Sequence, residues 1–395
     1  MVLFVVACNP DTTGGVASSS RADGTPTTAP QSSAPPSPGT LSTQLNCGSQ
    51  GLTTRSMAIY RLPITPPFIE ILDVSNPLKP SLACTLSPAQ GARFLSATRV
   101  IFWVGDALGT ADLISGTVTR SARLLAVAGT GAFSADGTKF AYRAFDNAGG
   151  MSTHLYVAGS DRTLYVQEPI GGHGGPGPSF GPFDQLEFSP DGSLLLDFYT
   201  FRPASGPAPL MVFRSDGTTL FQSTAAPGGA WSPVGATLFF PVWDQPGVTN
   251  ELDRLDATGQ RQVVATALHG LFWLRMAPDG GSLIYNSSDS SVPDCGGLPH
   301  LWRLDLKTGS ASQISQSISS NPVFVQGAVV WSNEQAIGPC GPGGPTVETG
   351  VILAHDLTTG SDAAVDTTLT VPGIGGPPLP VPSTINLLDV RFAPA

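Results

Sequence analysis

The stretch "LEFSPDGSLLLDF", residues 186–198, decides the fold of this chain. It reads as an apolar strand, a four-residue turn and a second apolar strand. In the turn, Pro190 fixes φ, Asp191 bonds nearby backbone amides, and Gly192 accepts a positive φ. Such turns join antiparallel strands closely, so the stretch predicts a β-hairpin.

Relatives of this hairpin recur along the chain. They are "GAFSADGTKFAY" (131–142), "GAWSPVGATLFF" (229–240) and "LRMAPDGGSLIY" (274–285). The turn glycines are Gly137, Gly192, Gly235 and Gly280, which lie 55, 43 and 45 residues apart. Steps near 45 residues match the size of a four-stranded propeller blade. The repeat therefore predicts a β-propeller.

A second hairpin follows each of these turns and completes a four-stranded repeat. Its clearest copies are "HLWRLDLKTGSASQI" (300–314) and "GVILAHDLTTGSDAAV" (350–365). With the weaker copies the count reaches seven, so we predict an all-β, seven-bladed β-propeller, with six or eight blades as alternatives. The second strands of the blades are predicted at 57–62, 99–104, 139–144, 194–199, 237–242, 282–286 and 328–332.

The first blade lacks its inner strand, and the C-terminus offers one. In "LLDVRFAPA" (387–395), Phe392 and Pro394 stand where Phe188 and Pro190 stand in the fourth blade. We therefore expect the C-terminal strand to pair within the first blade. This pairing would close the ring by hydrogen bonding and leave no sheet edge exposed.

The repeat resembles that of the TolB-type β-propeller family, whose signature is an aromatic residue, Ser-Pro-Asp-Gly and an apolar strand. Residues 188–192 match it in full, and the copies at 133–137, 231–235 and 276–280 depart at one or two positions. The resemblance covers residues 50–395. It implies an extracytoplasmic binding or scaffolding module that works through protein partners.

The N-terminus resembles the end of a bacterial lipoprotein signal. Val5, Val6 and Ala7 precede Cys8 in the order that this family uses, in which the cysteine thiol receives a diacylglycerol. No basic residue precedes the apolar run, so residues 1–8 form a partial signal, with a chance apolar N-terminus as the alternative. We expect an extracytoplasmic lipoprotein that touches the membrane only through its lipid.

Composition divides the rest of the chain in two. Residues 9–46 are rich in Ser, Thr and Pro and contain no aromatic residue, which predicts a disordered tether. The propeller domain is then expected to span residues 47–395. The net charge is -10 and the basic residues are scattered, so nucleic acid is not an expected partner.

Four cysteines remain when Cys8 is set aside. An even number in an exported chain predicts two disulfides, with four free buried thiols as the alternative. In the predicted blade order, Cys295 and Cys340 lie in loops of neighbouring blades, and Cys47 lies near the outer strand that carries Cys84. We therefore predict the pairs Cys295–Cys340 and Cys47–Cys84.

The connections between second and third strands and those between consecutive blades are long and irregular, unlike the tight turns of the opposite face. Long loops on a rigid scaffold are where recognition usually lies. Aromatic and charged side chains there are candidate anchors for a partner. The candidate binding residues are Phe201, Arg202, Trp243, Asp244 and His173.

Other motifs do not indicate a catalytic function. Asp136, Asp191 and Asp279 occupy turn positions and are interpreted as turn residues rather than acids or bases. The "GGHGGPG" around His173 lacks the downstream G-x-S-x-G nucleophile of the hydrolases it resembles. The five histidines show no metal-binding spacing, so no metal or cofactor is predicted.

Two functions follow from these observations. The leading hypothesis is a monomeric, non-catalytic binding module for a protein or a cell-envelope component. The alternative is a glycan-active hydrolase or lyase with carboxylates in the central channel, a chemistry that needs two carboxylates at a defined separation. Asp184 and Glu187 form the acidic pair near a predicted inner strand.

Overall fold

The computed structural model is almost entirely β-structure. It describes residues 43–48, 52–62, 67–123, 130–145, 150–167, 185–198, 210–226, 228–245, 248–266, 268, 270–289, 298–341, 344–366 and 387–391. These residues belong to one compact unit, Ser42–Ala395, and include a short 3-10 helix at Leu52–Thr54. Within those ranges no helix has the length and apolar character needed to cross a membrane.

The strands are short and follow one another closely, as the repeat requires. In chain order they are β1 (Gln44–Cys47), β2 (Met57–Leu62), β3 (Phe68–Asp73), β4 (Ser81–Ser87), β5 (Gly91–Phe94), β6 (Arg99–Val104), β7 (Ala107–Asp112), β8 (Val118–Arg123), β9 (Gly131–Phe133), β10 (Lys139–Phe145), β11 (Met151–Val157), β12 (Ser160–Gln167), β13 (Gln185–Phe188), β14 (Leu194–Phe198), β15 (Leu210–Arg214), β16 (Thr219–Ser223), β17 (Ala230–Trp231), β18 (Leu238–Gln245), β19 (Val248–Leu255), β20 (Arg261–Thr266), β21 (Phe272–Met276), β22 (Ser282–Asp289), β23 (Leu298–Asp305), β24 (Ala311–Gln326), β25 (Val329–Gly341), β26 (Gly344–Asp356), β27 (Ser361–Ala364) and β28 (Leu387–Arg391).

Consecutive strands pair antiparallel to form six sheets in the described part of the chain. The first sheet has the order β1-β4-β3-β2-β28, so it joins segments from both ends of the described chain. The second to fifth sheets are β5–β8, β9–β12, β13–β16 and β17–β20. The last sheet contains β21–β27, and its long strand β24 pairs first with β23 and then with β25.

The predicted second strands are confirmed. β2 and β6 begin and end at the predicted residues, and β10, β14, β18, β22 and β25 each overlap the predicted range. These strands are largely buried, for example β14 along its whole length. Their apolar runs are therefore visible in the sequence because both faces of each sheet are covered.

The C-terminal strand β28 pairs antiparallel with β2, as expected, but in a different register. Val390 lies opposite Ala58 and packs into a core, as Phe188 does opposite Leu195 in the fourth sheet. The expected alignment gave that position to Phe392, which lies outside the described residues, and is wrong by two residues. No tight turn joins β28 to β2, and apolar alternation, which repeats every two residues, does not distinguish registers that differ by two.

Buried apolar side chains of the described chain form seven clusters, six between neighbouring sheets and one between the two halves of the last sheet. One cluster joins the first and second sheets through residues such as Ile59 and Phe102. Another joins the first sheet, through Tyr60, to Trp331 in the second half of the last sheet. The Trp331 indole also donates a hydrogen bond of 3.0 Å to the carbonyl of Pro77. Stability thus depends on packing between sheets as much as on pairing within them.

The tight turns confirm that the repeat aspartates shape the backbone. Asp136 accepts hydrogen bonds from the Ser134 hydroxyl at 2.6 Å and from the Thr138 amide at 3.0 Å. The Ser134 bond is the main reason that the pKa of Asp136 is lowered to about 2. Asp191 and Asp279 accept equivalent amide bonds two residues on, at 3.0 and 2.8 Å.

The folded unit starts earlier than residue 47. β1 lies at the edge of the first sheet against β4, and it places Cys47 opposite Cys84. The structure contains the predicted Cys47–Cys84 disulfide. Cys295 lies outside the described residues, and Cys340 lies in β25 with a side chain that is not described, so the second pairing stays a prediction.

Candidate functional site

The predicted binding residues lie mostly outside the described chain. This holds for His173, Phe201 and Arg202, as it does for Asp184 and Cys8. Trp243 and Asp244 belong to β18, but their side chains are not among the described parts of the structure. The predicted binding face therefore stays a prediction.

Several expected loops are strands instead. β18 and β19 extend through the loop predicted at 243–250, and β25 and β26 extend through most of the one predicted at 333–349. The prediction ended each strand where the apolar run ended. Backbone pairing continues beyond that point because polar side chains are tolerated where a strand meets solvent.

A second group of polar residues lies on the first strands of the sheets. In each sheet, and in both halves of the last one, a buried or half-buried first-strand residue such as Phe188 lies opposite a buried residue of the second strand. The residue just before it points to the other side, because side chains alternate along a strand. This register position is held by Asp389, Arg93, Ala132, Glu187, Ala230, Arg275 and Val323, in sheet order.

Four of these seven residues are charged, and we call Arg93, Glu187, Arg275 and Asp389 the interior layer. They come from β5, β13, β21 and β28, which belong to four different sheets. The Glu187 side chain is exposed, and the other three are partly buried. Two positive and two negative side chains from four sheets therefore occupy the same register position, and each is at least partly exposed to solvent.

The charges of the layer act on one another. Burial raises the pKa of Glu187, the positive charges of Arg275 and Arg93 oppose this rise, and the charge of Asp389 adds to it. The pKa of Arg275 is lowered by burial and raised by Glu187. Glu187 thus stands at the electrostatic centre of the layer.

Asp389 is the most firmly positioned member. Its Oδ2 atom accepts a hydrogen bond of 2.8 Å from the backbone amide of Phe94 in the second sheet. Burial raises the pKa of Asp389, while Arg93 and the Phe94 amide lower it. The side chain therefore holds the C-terminal strand against its neighbour as well as contributing charge.

The two arginines keep most of their hydrogen-bonding capacity. Arg93 Nη1 donates to the carbonyl of Phe133 at 2.8 Å, and Arg275 Nη1 donates to the carbonyl of Leu274 at 2.9 Å. A guanidinium carries five N–H donors, so each has further donors to offer. In the described part of the chain, the Glu187 carboxylate accepts no hydrogen bond. The layer can therefore bind polar groups from solution.

A Ser-His-Asp array in the last sheet has a different character. Ser332 Oγ lies 2.6 Å from His355 Nε2, and His355 Nδ1 lies 2.7 Å from Asp362 Oδ1. Ser332 and His355 are both wholly buried. A nucleophile must reach a substrate carbonyl, which this serine cannot do. The array therefore joins β25, β26 and β27 in the core.

No metal centre emerges from the described ranges. No group of three or more His, Cys, Asp or Glu residues in them could hold a metal ion. Of the five histidines, His154, His300 and His355 are described, and each makes local contacts within its own sheet. The expectation of no metal or cofactor stays a prediction.

Sequence reasoning found Glu187 but missed its three companions. Arg93, Arg275 and Asp389 are far apart in the chain and form no motif. The available signal was positional, because the residue before the repeat's apolar anchor is charged in four copies. Comparing that one position across the aligned copies would have found Arg93 and Arg275. Asp389 needed the observed register of β28.

No protein-family model and no curated protein matches the chain. Among solved structures, it is similar to an oligogalacturonate lyase in complex with manganese, at 12% identity and a TM-score of 0.50, over 74% of this chain and 84% of that one. It is also similar to the β-propeller domain of the trilobed protease from Pyrococcus furiosus, at 11% identity and a TM-score of 0.43, over 72% of this chain and 97% of that one. A third similar structure is TolB from Acinetobacter baumannii, at 15% identity and a TM-score of 0.38, over 78% of this chain and 76% of that one. At this identity, the similarity to the lyase shows the fold alone. The described chain is all-β, and its solved neighbours include a β-propeller domain.

Proposed function

We propose that this protein is a seven-bladed β-propeller that binds a protein or a cell-envelope component without catalysing a reaction. It acts as a monomer outside the cytoplasm and is held at the membrane by a lipid on Cys8. The repeat and the N-terminal sequence support this assignment. β28 closes the ring in the first blade, and the two halves of the last sheet count as separate blades.

Ring closure is supported by two independent contacts. β28 pairs with β2 over four residue pairs, and a buried cluster joins the first sheet to the second half of the last sheet. The division of the last sheet is supported by β24, whose two ends pair with different strands. Each half then has four strands when β24 is counted in both, like the second to fifth sheets.

The interior layer is the observation that carries the binding function. Charged side chains with free hydrogen-bonding groups are costly to collect in one place, because each loses hydration there. Here rigid strands of four sheets hold them, and Glu187 is exposed to solvent. Such a preorganised polar surface inside a scaffold is typical of a recognition site.

Capture from envelope extracts tests the proposal. The full-length chain is expected to retain a partner that the double variant Trp243→Ala/Arg202→Ala does not retain. The control is Arg120→Ala, a change on the exposed outer strand β8, and it should retain the partner as the natural chain does. Retention by the double variant would exclude the predicted loop face. Labelling with a radioactive fatty acid, present in the natural chain and absent in Cys8→Ser, tests the anchor.

A second candidate, a glycan-active hydrolase or lyase, is favoured by one observation. The carboxyls of Glu187 and Asp389 share the interior layer, and burial raises the pKa of both. A raised pKa is what a general acid requires near neutral pH. This pair replaces the predicted Asp184 and Glu187. Turnover in a screen of glycans, abolished by Glu187→Gln, would establish this candidate over the binding module.

A further inference from the structure

The interior layer has more hydrogen-bond donors than the described protein uses. Arg93 and Arg275 each donate one described bond, and both bonds go to backbone carbonyls. The four charged side chains form no salt bridge with one another in the described part of the chain. By contrast, Arg143 and Asp197 of the third and fourth sheets pair directly at 2.5 Å. The layer's charges are near one another but are not paired.

We propose that the interior layer binds an organic carboxylate that carries a hydroxyl or ammonium group next to its carboxyl. Arg93 and Arg275 hold the ligand's carboxylate, and Glu187 accepts a hydrogen bond from the adjacent donor. Uronic acids, 2-hydroxy acids and amino acids share this chemistry. The inference rests on the proposed binding function and names the ligand of its interior site.

The donor geometry suits a carboxylate. A guanidinium is planar, always charged and matched to the two oxygens of a carboxylate. Two of them from different sheets, Arg93 and Arg275, act on the same carboxyl, that of Glu187. A small anion near Glu187 therefore lies within the field of both arginines.

Glu187 sets the second requirement of the ligand. Its carboxylate is exposed and accepts no hydrogen bond among the described residues. A simple anion next to it would be repelled, and only a donor on the ligand offsets that repulsion. Asp389 is less available, because its Oδ2 atom is already bonded to the Phe94 amide. The site thus favours carboxylates that bring their own donor.

The proposal predicts a pH dependence that separates these roles. The groups around Glu187 are Arg275, Arg93 and Asp389, and burial raises the pKa of Glu187, so it gains a proton at a higher pH than an ordinary glutamate does. The layer then becomes more positive. An anion without a donor, such as methanesulfonate, is expected to bind more tightly at low pH. In Glu187→Gln it should bind tightly at neutral pH already.

Isothermal titration of the full-length chain tests the proposal with glucuronate, lactate, alanine and uncharged glucose. At least one of the three acids should bind and glucose should not. Arg275→Gln and Arg93→Gln should each weaken that binding by about tenfold or more, the loss of one charged hydrogen bond. Arg120→Gln, on exposed outer strand β8, is the matched control and should bind as the natural chain does.

The outcomes are distinct. Binding of glucuronate alone assigns the site to an acidic glycan, and binding of lactate or alanine assigns it to a small free acid. No binding of any acid, or binding that both arginine variants keep, overturns the proposal. If Arg275→Gln does not fold, Arg93→Gln gives the same test from another sheet. Capture of an envelope partner with no acid bound would refute this inference and leave the proposed function standing.

Discussion

Two arginine–carboxylate groups in this molecule differ in one respect, namely whether their charges pair directly. Between the third and fourth sheets, Arg143 is wholly buried and donates from Nη2 to Asp197 Oδ1 at 2.5 Å and to the carbonyl of Phe198 at 2.8 Å. Thr153 completes the group by donating to Asp197 Oδ2 at 2.5 Å. No solvent-facing capacity is left on Asp197.

The interior layer contains the same residue types, but its arginines and carboxylates form no ion pair with one another in the described part of the chain. Arg93, Arg275 and Glu187 are partly or fully exposed and do not pair directly. A completed buried group fixes two sheets together, because separating its members would leave a charge without water or a partner. An incomplete, exposed group contributes little to stability and remains available to a ligand. The difference distinguishes a structural ion pair from a candidate site.

The largest expected loss of stability is at the Arg143–Asp197 ion pair. Arg143→Met removes the partner of buried Asp197 and should lower the free energy of unfolding by about 3–5 kcal/mol. Urea unfolding of the variant measures this loss. The double variant Arg143→Met/Asp197→Asn should lose less, because it leaves no uncompensated charge. A loss below about 1 kcal/mol in the single variant would remove the contrast.

Glu70 sharpens the comparison, because it is buried like Asp197 but lacks an ion partner. It is 2% exposed, its Oε2 atom has no hydrogen-bond partner among the described residues, and burial raises its pKa to about 7. As the pH rises, Glu70 therefore loses its proton at a lower pH in the unfolded chain than in the folded one. Stability that is full below pH 4.5, the ordinary value, is lost as the pH rises through about 7.

Glu70→Gln should remove that dependence. The variant is expected to be more stable than the natural chain at pH 8 by up to about 3 kcal/mol and equally stable at pH 4. Thermal unfolding of both proteins across this range measures the difference, which isolates Glu70 from other titrating groups. A difference that grows toward low pH would contradict the assignment.

The smallest effect is expected in the interior layer. Arg275→Gln and Glu187→Gln should each change the free energy of unfolding by less than about 1 kcal/mol, because exposed charges contribute little. Urea unfolding beside Arg143→Met makes the comparison direct. A loss in Arg275→Gln as large as that of Arg143→Met would show that the layer is structural.

The sequence predicts the repeated parts of this molecule well. The Ser-Pro-Asp-Gly turn around Asp191 and the buried second strands depend on local chemistry and simple alternation, which a single chain displays directly. The Cys47–Cys84 disulfide followed from blade order, and the structure contains it.

The candidate site was harder to predict, because it depends on register between distant segments. Asp389 reaches the layer only through the pairing of β28 with β2, which no turn fixes. The predicted loop lengths were wrong for a related reason. Polar residues such as Asp244 continue a strand when the partner strand is long enough. Both errors concern contacts that are set by tertiary structure.

The central claim is that the C-terminal strand completes the first sheet and brings Asp389 to the interior layer. Arg391 of that strand also donates hydrogen bonds to the carbonyls of Leu52 and Arg55, at 2.5 and 2.9 Å. The direct measurement is the heat-unfolding midpoint after deletion of residues 385–395, with deletion of residues 392–395 alone as the control that keeps β28. We predict that the longer deletion lowers the midpoint by several degrees and that the control does not. An unchanged midpoint after the longer deletion would contradict the claim.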